Sequence, residues 1–173
     1  MKHLRYTWLF VAVILWSCDN PSQPASGMND LIQHAGDGDF RGVQIGDEWI
    51  EVAAREEQNV VYSMPDELIC RVPLDMKDST FYEISYNFNE GELYNIELGF
   101  FPSDSTQVSE LYQLFKAFYD QKYGSTSESN GYTAWYTTSS QGLDLEISMA
   151  NESREKGRPY LTVNFFEKDG IAP

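Results

Sequence analysis

Residues 80–100 constrain the fold more than any other stretch of this chain. Thr80, Tyr82, Ile84, Tyr86 and Phe88 alternate with Phe81, Glu83, Ser85 and Asn87. Tyr94, Ile96, Leu98 and Phe100 then alternate with Asn95, Glu97 and Gly99. A period of two sends the two sets to opposite faces of a β-strand. Asn89-Glu90-Gly91-Glu92 lies between the runs, and its glycine supplies the positive φ that a tight turn needs. The stretch is therefore a β-hairpin with one apolar face. A two-stranded hairpin is marginal in water, so other elements have to cover that face.

A helix is the natural cover. Val108, Leu111, Tyr112, Phe115, Phe118 and Tyr119 recur at steps of three and four, and Gly124 follows as a C-terminal stop. We read this stripe as core packing. An earlier helix is expected from Glu48-Trp49-Ile50, where Asp47 can accept from free backbone N–H groups and an acidic first turn suits the helix dipole. It fades near Gln58-Asn59. Leu68, Cys70, Val72 and Leu74 restore strand spacing, with Pro73 marking a strand end or an edge. Three further strands are expected at 132–138, 143–150 and 159–166, and the loop 151–158 joins the last two. The expectation is an α+β domain: an antiparallel sheet of about six strands with two helices on one face. Tyr82-Glu83-Ile84-Ser85 and Leu145-Glu146-Ile147-Ser148 lie 63 positions apart, which suits a duplicated α-β-β-β unit.

The N-terminus has a different logic. Lys2, His3 and Arg5 precede an unbroken apolar run over residues 9–16. That run is shorter than the ~20 residues needed to cross a bilayer. It ends in Leu15-Trp16-Ser17-Cys18, which resembles the bacterial lipobox: an aliphatic residue at −3, a small one at −1 and a cysteine. Trp16 stands where that pattern has a small residue. The resemblance implies that residues 1–17 are a lipoprotein signal peptide. Cys18 would take a diacylglyceryl group on its thiol, become the new N-terminus and hold the chain to a membrane by several acyl chains, palmitate among them. It places the protein in the bacterial cell envelope, with the outer membrane ahead of the inner. Asp19 resembles the inner-membrane retention signal of enteric bacteria, a position that other lineages read differently. Residues 18–39, rich in Pro, Gly and Ser, are then expected to be a flexible tether, with Leu31 and Ile32 forming at most a brief turn. Residues 40–173 are expected to form one domain.

Charge and inventory narrow the function. Without Lys2 and Arg5, ten basic side chains face 27 acidic ones, a formal charge of −17. Such a surface repels nucleic acid and anionic headgroups and favours a basic protein partner. The one histidine beyond the signal is His34, so residues 40–173 offer no Ser/His or Cys/His pair and no histidine-ligated zinc site. Asp37 and Asp39 lack the ligand spacing of a calcium loop. No phosphate-binding glycine loop is present. No cofactor, metal site or catalytic activity is expected, and a carboxylate-based hydrolase trails as a third class. Cys70, set in an apolar stretch, reads as a small core residue. Asp78-Ser79-Thr80 and Asp104-Ser105-Thr106 resemble a short O-glycosylation acceptor of some Bacteroidetes, although turn and capping chemistry account for them equally.

The leading functional expectation is a lipid-anchored envelope binding or assembly module. The alternative is an immunity or inhibitor protein that blocks a basic toxin or enzyme. Strand alternation defines a candidate binding face. If helices cover Tyr82, Ile84, Ile96, Leu98, Leu145, Ile147 and Val163, the opposite face carries Glu83, Glu97, Trp135, Asp144, Glu146 and Tyr160, with Ser85 and Thr162 between them. The anchor itself is directly testable. Cys18→Ser removes the only thiol that can be acylated there, so metabolic labelling with a clickable fatty acid should mark the wild type and leave the variant unlabelled.

Overall fold

The computed structural model describes residues 27–76 and 79–168. Cys18, the signal segment and the first part of the expected tether lie outside them, as does Asp78 of the first acceptor-like motif. In chain order the elements are α1 (Met28–Gly36), α2 (Trp49–Arg55), β1 (Val60–Ser63), β2 (Glu67–Met76), β3 (Ser79–Asn89) and β4 (Glu92–Phe100). They continue with α3 (Ser105–Tyr123), β5 (Ser127–Ser129), β6 (Tyr132–Thr138), β7 (Asp144–Asn151), α4 (Ser153–Lys156) and β8 (Leu161–Glu167). The class is α+β, and the sheet is antiparallel throughout.

The expected hairpin is β3–β4, in a register that pairs Ile84 with Leu98 and Tyr86 with Ile96. Its apolar face meets Phe40 at Tyr82, Glu56 of α2 at Tyr86 and Phe115 of α3 at Phe100. α3, whose Val108, Leu111, Phe115 and Tyr119 are all fully buried, packs chiefly on β6, β7 and β8. Asp104 caps α3 by accepting from the backbone N–H groups of Thr106 at 2.8 Å and Gln107 at 2.9 Å, so the second Asp-Ser-Thr motif performs capping chemistry. Strand order across the sheet is β1-β2-β3-β4-β8-β7-β6-β5. Each half is thus a helix followed by a four-strand meander, and the two meanders meet where Leu98 pairs with Val163.

The described residues hold eight strands and four helices, against the expected six and two. The extra strands, β1 and β5, are the two edges. Most of their side chains are exposed, so neither leaves an alternating trace in the sequence. One extra helix, α4, is a single turn inside the 151–158 loop. The other, α1, corrects the expected tether. From residue 28 the chain is helical, and Leu31, Ala35 and Phe40 are wholly buried. Lys122, at the end of α3, donates from Nζ to the carbonyls of Ala35 at 3.0 Å and Gly38 at 3.3 Å. That satisfies carbonyls left over at the C-terminus of α1. Phe40 then packs edge-on to Tyr82 and against Phe165. The Asp-Gly run is turn structure, with Asp39 Oδ2 accepting from Ile45 N at 2.8 Å. Asp47, expected to cap α2, accepts instead from Gln44 N at 2.8 Å.

One buried charge organises this end of the molecule. Glu56, the residue that closes α2, has no exposed surface. Arg41 donates to it from Nε at 2.8 Å and Nη2 at 3.3 Å, Asn59 from Nδ2 at 2.8 Å and Tyr86 from its hydroxyl at 3.0 Å. Cys70 lies nearby, buried as expected, and burial pushes its thiol up to about 12.

The burial of α1 predicts how truncations behave. A chain that starts at Phe40 loses Leu31 and Ala35 from the core, and full burial of a leucine alone is worth about 1.5–3 kcal/mol. Urea unfolding should therefore show a lower midpoint for a chain starting at Phe40 than for one starting at Gly27. Equal midpoints would return residues 27–39 to a tether.

Candidate functional site

α3 packs on one face of the sheet, and strand register lays the opposite face out in rows. One row runs Arg71, Glu83, Gly99, Thr162, Ala150 and Tyr132 across six strands. The next runs Ile69, Ser85, Glu97, Asn164, Ser148 and Ala134, and a third Glu67, Asn87, Asn95, Phe166, Glu146 and Tyr136. Small side chains, Gly99, Thr162 and Ala150, fill the middle of the first row, between larger ones at its margins.

Glu83, Glu97 and Glu146 lie on this face as expected, and Asp144 shares it at the start of β7. Tyr160, just ahead of β8, lies over β4. A Cβ on Gly99 would stand 2.6 Å from its hydroxyl, so the glycine makes room for the ring. Trp135 corrects the expectation. It pairs with Ile147, belongs to the helix-covered face, and is fully buried with Nε1 donating to Asp120 of α3 at 3.0 Å. Thr162 sits on the open face but is almost wholly covered, and its hydroxyl has no hydrogen-bond partner.

Phe81 and Phe101 replace Trp135 as aromatic members of the site. Phe81 packs on Phe101 with centroids 5.5 Å apart, and Phe101 on Tyr160 at 5.3 Å. Cations flank the three rings: Arg71 over Phe81 at 4.6 Å, Arg158 over Phe101 at 4.7 Å and Lys156 over Tyr160 at 5.2 Å. Arg71 also pairs with Glu83 at 2.6 Å. Phe81 was visible in the sequence, since it shares parity with Glu83. Phe101 was visible two positions beyond Gly99. On the far side, Tyr136 is exposed, with Lys168 Nζ 5.3 Å from its ring.

Carboxylates crowd the covered centre. Burial raises the Glu97 carboxyl above its ordinary value, and the neighbouring charge of Glu152 adds to the shift against the opposing pull of Lys156. Burial likewise pushes the Tyr160 hydroxyl up to about 12, reinforced by Glu97, Glu152 and Glu83. His34 is half-buried in α1, far in sequence from these residues, and burial lowers its pKa. Among the described residues, no group of three or more His, Cys, Asp or Glu side chains is placed to hold a metal ion, and no helix is long and apolar enough to cross a membrane. Comparison with family models, curated proteins and solved structures gives no match.

The raised Glu97 pKa carries a pH signature. The native state holds this proton more tightly than the unfolded chain, so stability declines as pH rises from 4.5 through the folded-state value. The penalty is complete above the folded-state value and absent below the unfolded value. Glu97→Gln should raise the urea midpoint at pH 7 and leave it unchanged near pH 3.5. A difference independent of pH would show that Glu97 is not the strained ionisable group.

Proposed function

We propose that this chain is a lipid-anchored binding or assembly module of the bacterial envelope, without catalytic activity, and that the open sheet face is where its protein partner docks. One observation carries the reading: the row Phe81–Phe101–Tyr160 lies on the face of the sheet opposite α3, with Glu83 and Glu97 among the rings. Aromatic residues enclosed by charges are what protein interfaces enrich. The net charge of −17 over residues 18–173 favours a basic partner, because complementary charge speeds encounter. That same charge supports the second reading, an immunity or inhibitor protein whose acidic surface blocks a basic toxin or enzyme.

The fold has a matching internal logic. The tetrapeptides at 82–85 and 145–148 both fall on the third strand of their meander, β3 and β7. We read the two halves as copies of one helix-and-meander unit, joined edge to edge into a single broad face. Duplication widens a sheet without changing its handedness or its covered side.

A photoreactive residue placed in the native cell tests the docking face. Substitution of Tyr136 or Asn87 should give one discrete cross-linked adduct. Substitution of Gln113 or Ala117, exposed on α3, should give none. Adducts from α3 alone would move the partner to the helical side and overturn the proposal.

A further inference from the structure

We infer that the β1 edge of the sheet is a second binding site, built for an extended peptide segment that alternates basic and aliphatic residues. Three of the six exposed large hydrophobic side chains among the described residues gather here: Ile50, Val61 and Met64. Beside them lies a groove of about 710 Å³, with Trp49, Met64, Pro65 and Phe88 as apolar walls and Asp66 and Glu90 as its charged lining. That volume is in the range of pockets that enclose a ligand. The groove is preformed, since Trp49 Nε1 donates to the Met64 carbonyl at 3.1 Å and Phe88 is part of the sheet core.

Edge strands are a hazard, and proteins commonly guard them with lysine, proline or a short length. β1 is short, but no lysine protects it. Its guard is negative. Glu48 forms an isolated bridge directly opposite Glu92, with Glu51 one turn along α2 and Glu90 at the adjoining turn. Like charges placed opposite one another are destabilising until a cation joins them. Among the described residues, no Lys or Arg pairs with Glu48, Asp66, Glu90 or Glu92. The one cation of α2, Arg55, stands at its far end near Gly42 and Asp37.

Apolar side chains inside an unneutralised acidic rim specify the occupant by charge. A second copy of this chain would set two such rims against each other. An extended peptide of lysine and valine that reaches from β1 into the groove would set its aliphatic side chains against the apolar walls and its ammonium groups against Asp66 and Glu90, which line the same groove. Main-chain pairing at a sheet edge supplies affinity, and side-chain pockets supply selectivity. The site is separate from the open face, so either can fail alone.

The test uses the full chain in a nonionic detergent and a fluorescein-labelled decapeptide of alternating Lys and Val, followed by anisotropy. Its Glu/Val counterpart serves as the control probe. The wild type should bind the Lys/Val peptide, with affinity falling as salt rises, and should ignore the Glu/Val peptide. Val61→Ser with Met64→Ser, both at exposed positions, should weaken binding at least tenfold. Asp66→Lys with Glu90→Lys should weaken it similarly and flatten the salt dependence. Phe81→Ala with Tyr136→Ala, on the open face, should leave it unchanged. Equal binding by all variants, or equal binding of both peptides, overturns the inference. So does a concentration-dependent dimer in sedimentation that Val61→Ser with Met64→Ser dissolves.

Discussion

The carboxylate of Glu56 is the group on which the rest of the arrangement depends. It is buried, and four hydrogen bonds from three residues meet it: Arg41 in the loop before α2, Asn59 ahead of β1 and Tyr86 on β3. Removing one partner of such a buried pair typically costs about 3–5 kcal/mol, because the other charge stays behind unpaired. The geometry is correspondingly strict. Only one placement of the loop and α2 on the sheet brings all the donors together. Arg41 even takes a left-handed backbone conformation, φ 55°, which a non-glycine residue rarely adopts. The apolar core is thereby given a polar address for the loop before α2 and for α2 itself.

The legible parts of the fold are those that are half-buried. β3, β4 and α3 each have one wet side and one dry side, so the sequence alternates at the period of the element. The edges β1 and β5 are wet on nearly all sides and have no period to read. α1 buries Leu31 and Ala35, which is too little to outweigh its surroundings of Asp, Gly and Ser. Nothing in the local sequence sets Glu56 apart from its neighbour Glu57, because burial of a charge depends on partners 15 and 30 residues away.

Trp135 shows a different limit. Both faces of β6 carry aromatic or threonine side chains, Tyr132 and Tyr136 on one, Trp135 on the other. Nothing internal to the strand tells them apart. The pairing with Ile147, two strands from the chain's first meander, assigns the indole to the core. Parity is a local property of a strand, but which parity is dry is decided across the sheet. Glu83, Glu97, Asp144 and Glu146 share the expected face of the sheet because their strands had a clear apolar partner set.

The burial of α1 also changes the reach of the molecule. In a chain anchored through Cys18, a tether that ran to residue 39 would allow the domain to roam widely. With α1 starting at Met28, nine residues, 18–26, would lie between such an anchor and the fold. Fully extended, nine residues span about 30 Å, comparable to the thickness of a bilayer's hydrocarbon core. The domain would be leashed close to the lipid, sweeping a thin layer next to the headgroups. Its partners would be met at high local concentration within that layer, and soluble ones only as they pass through it.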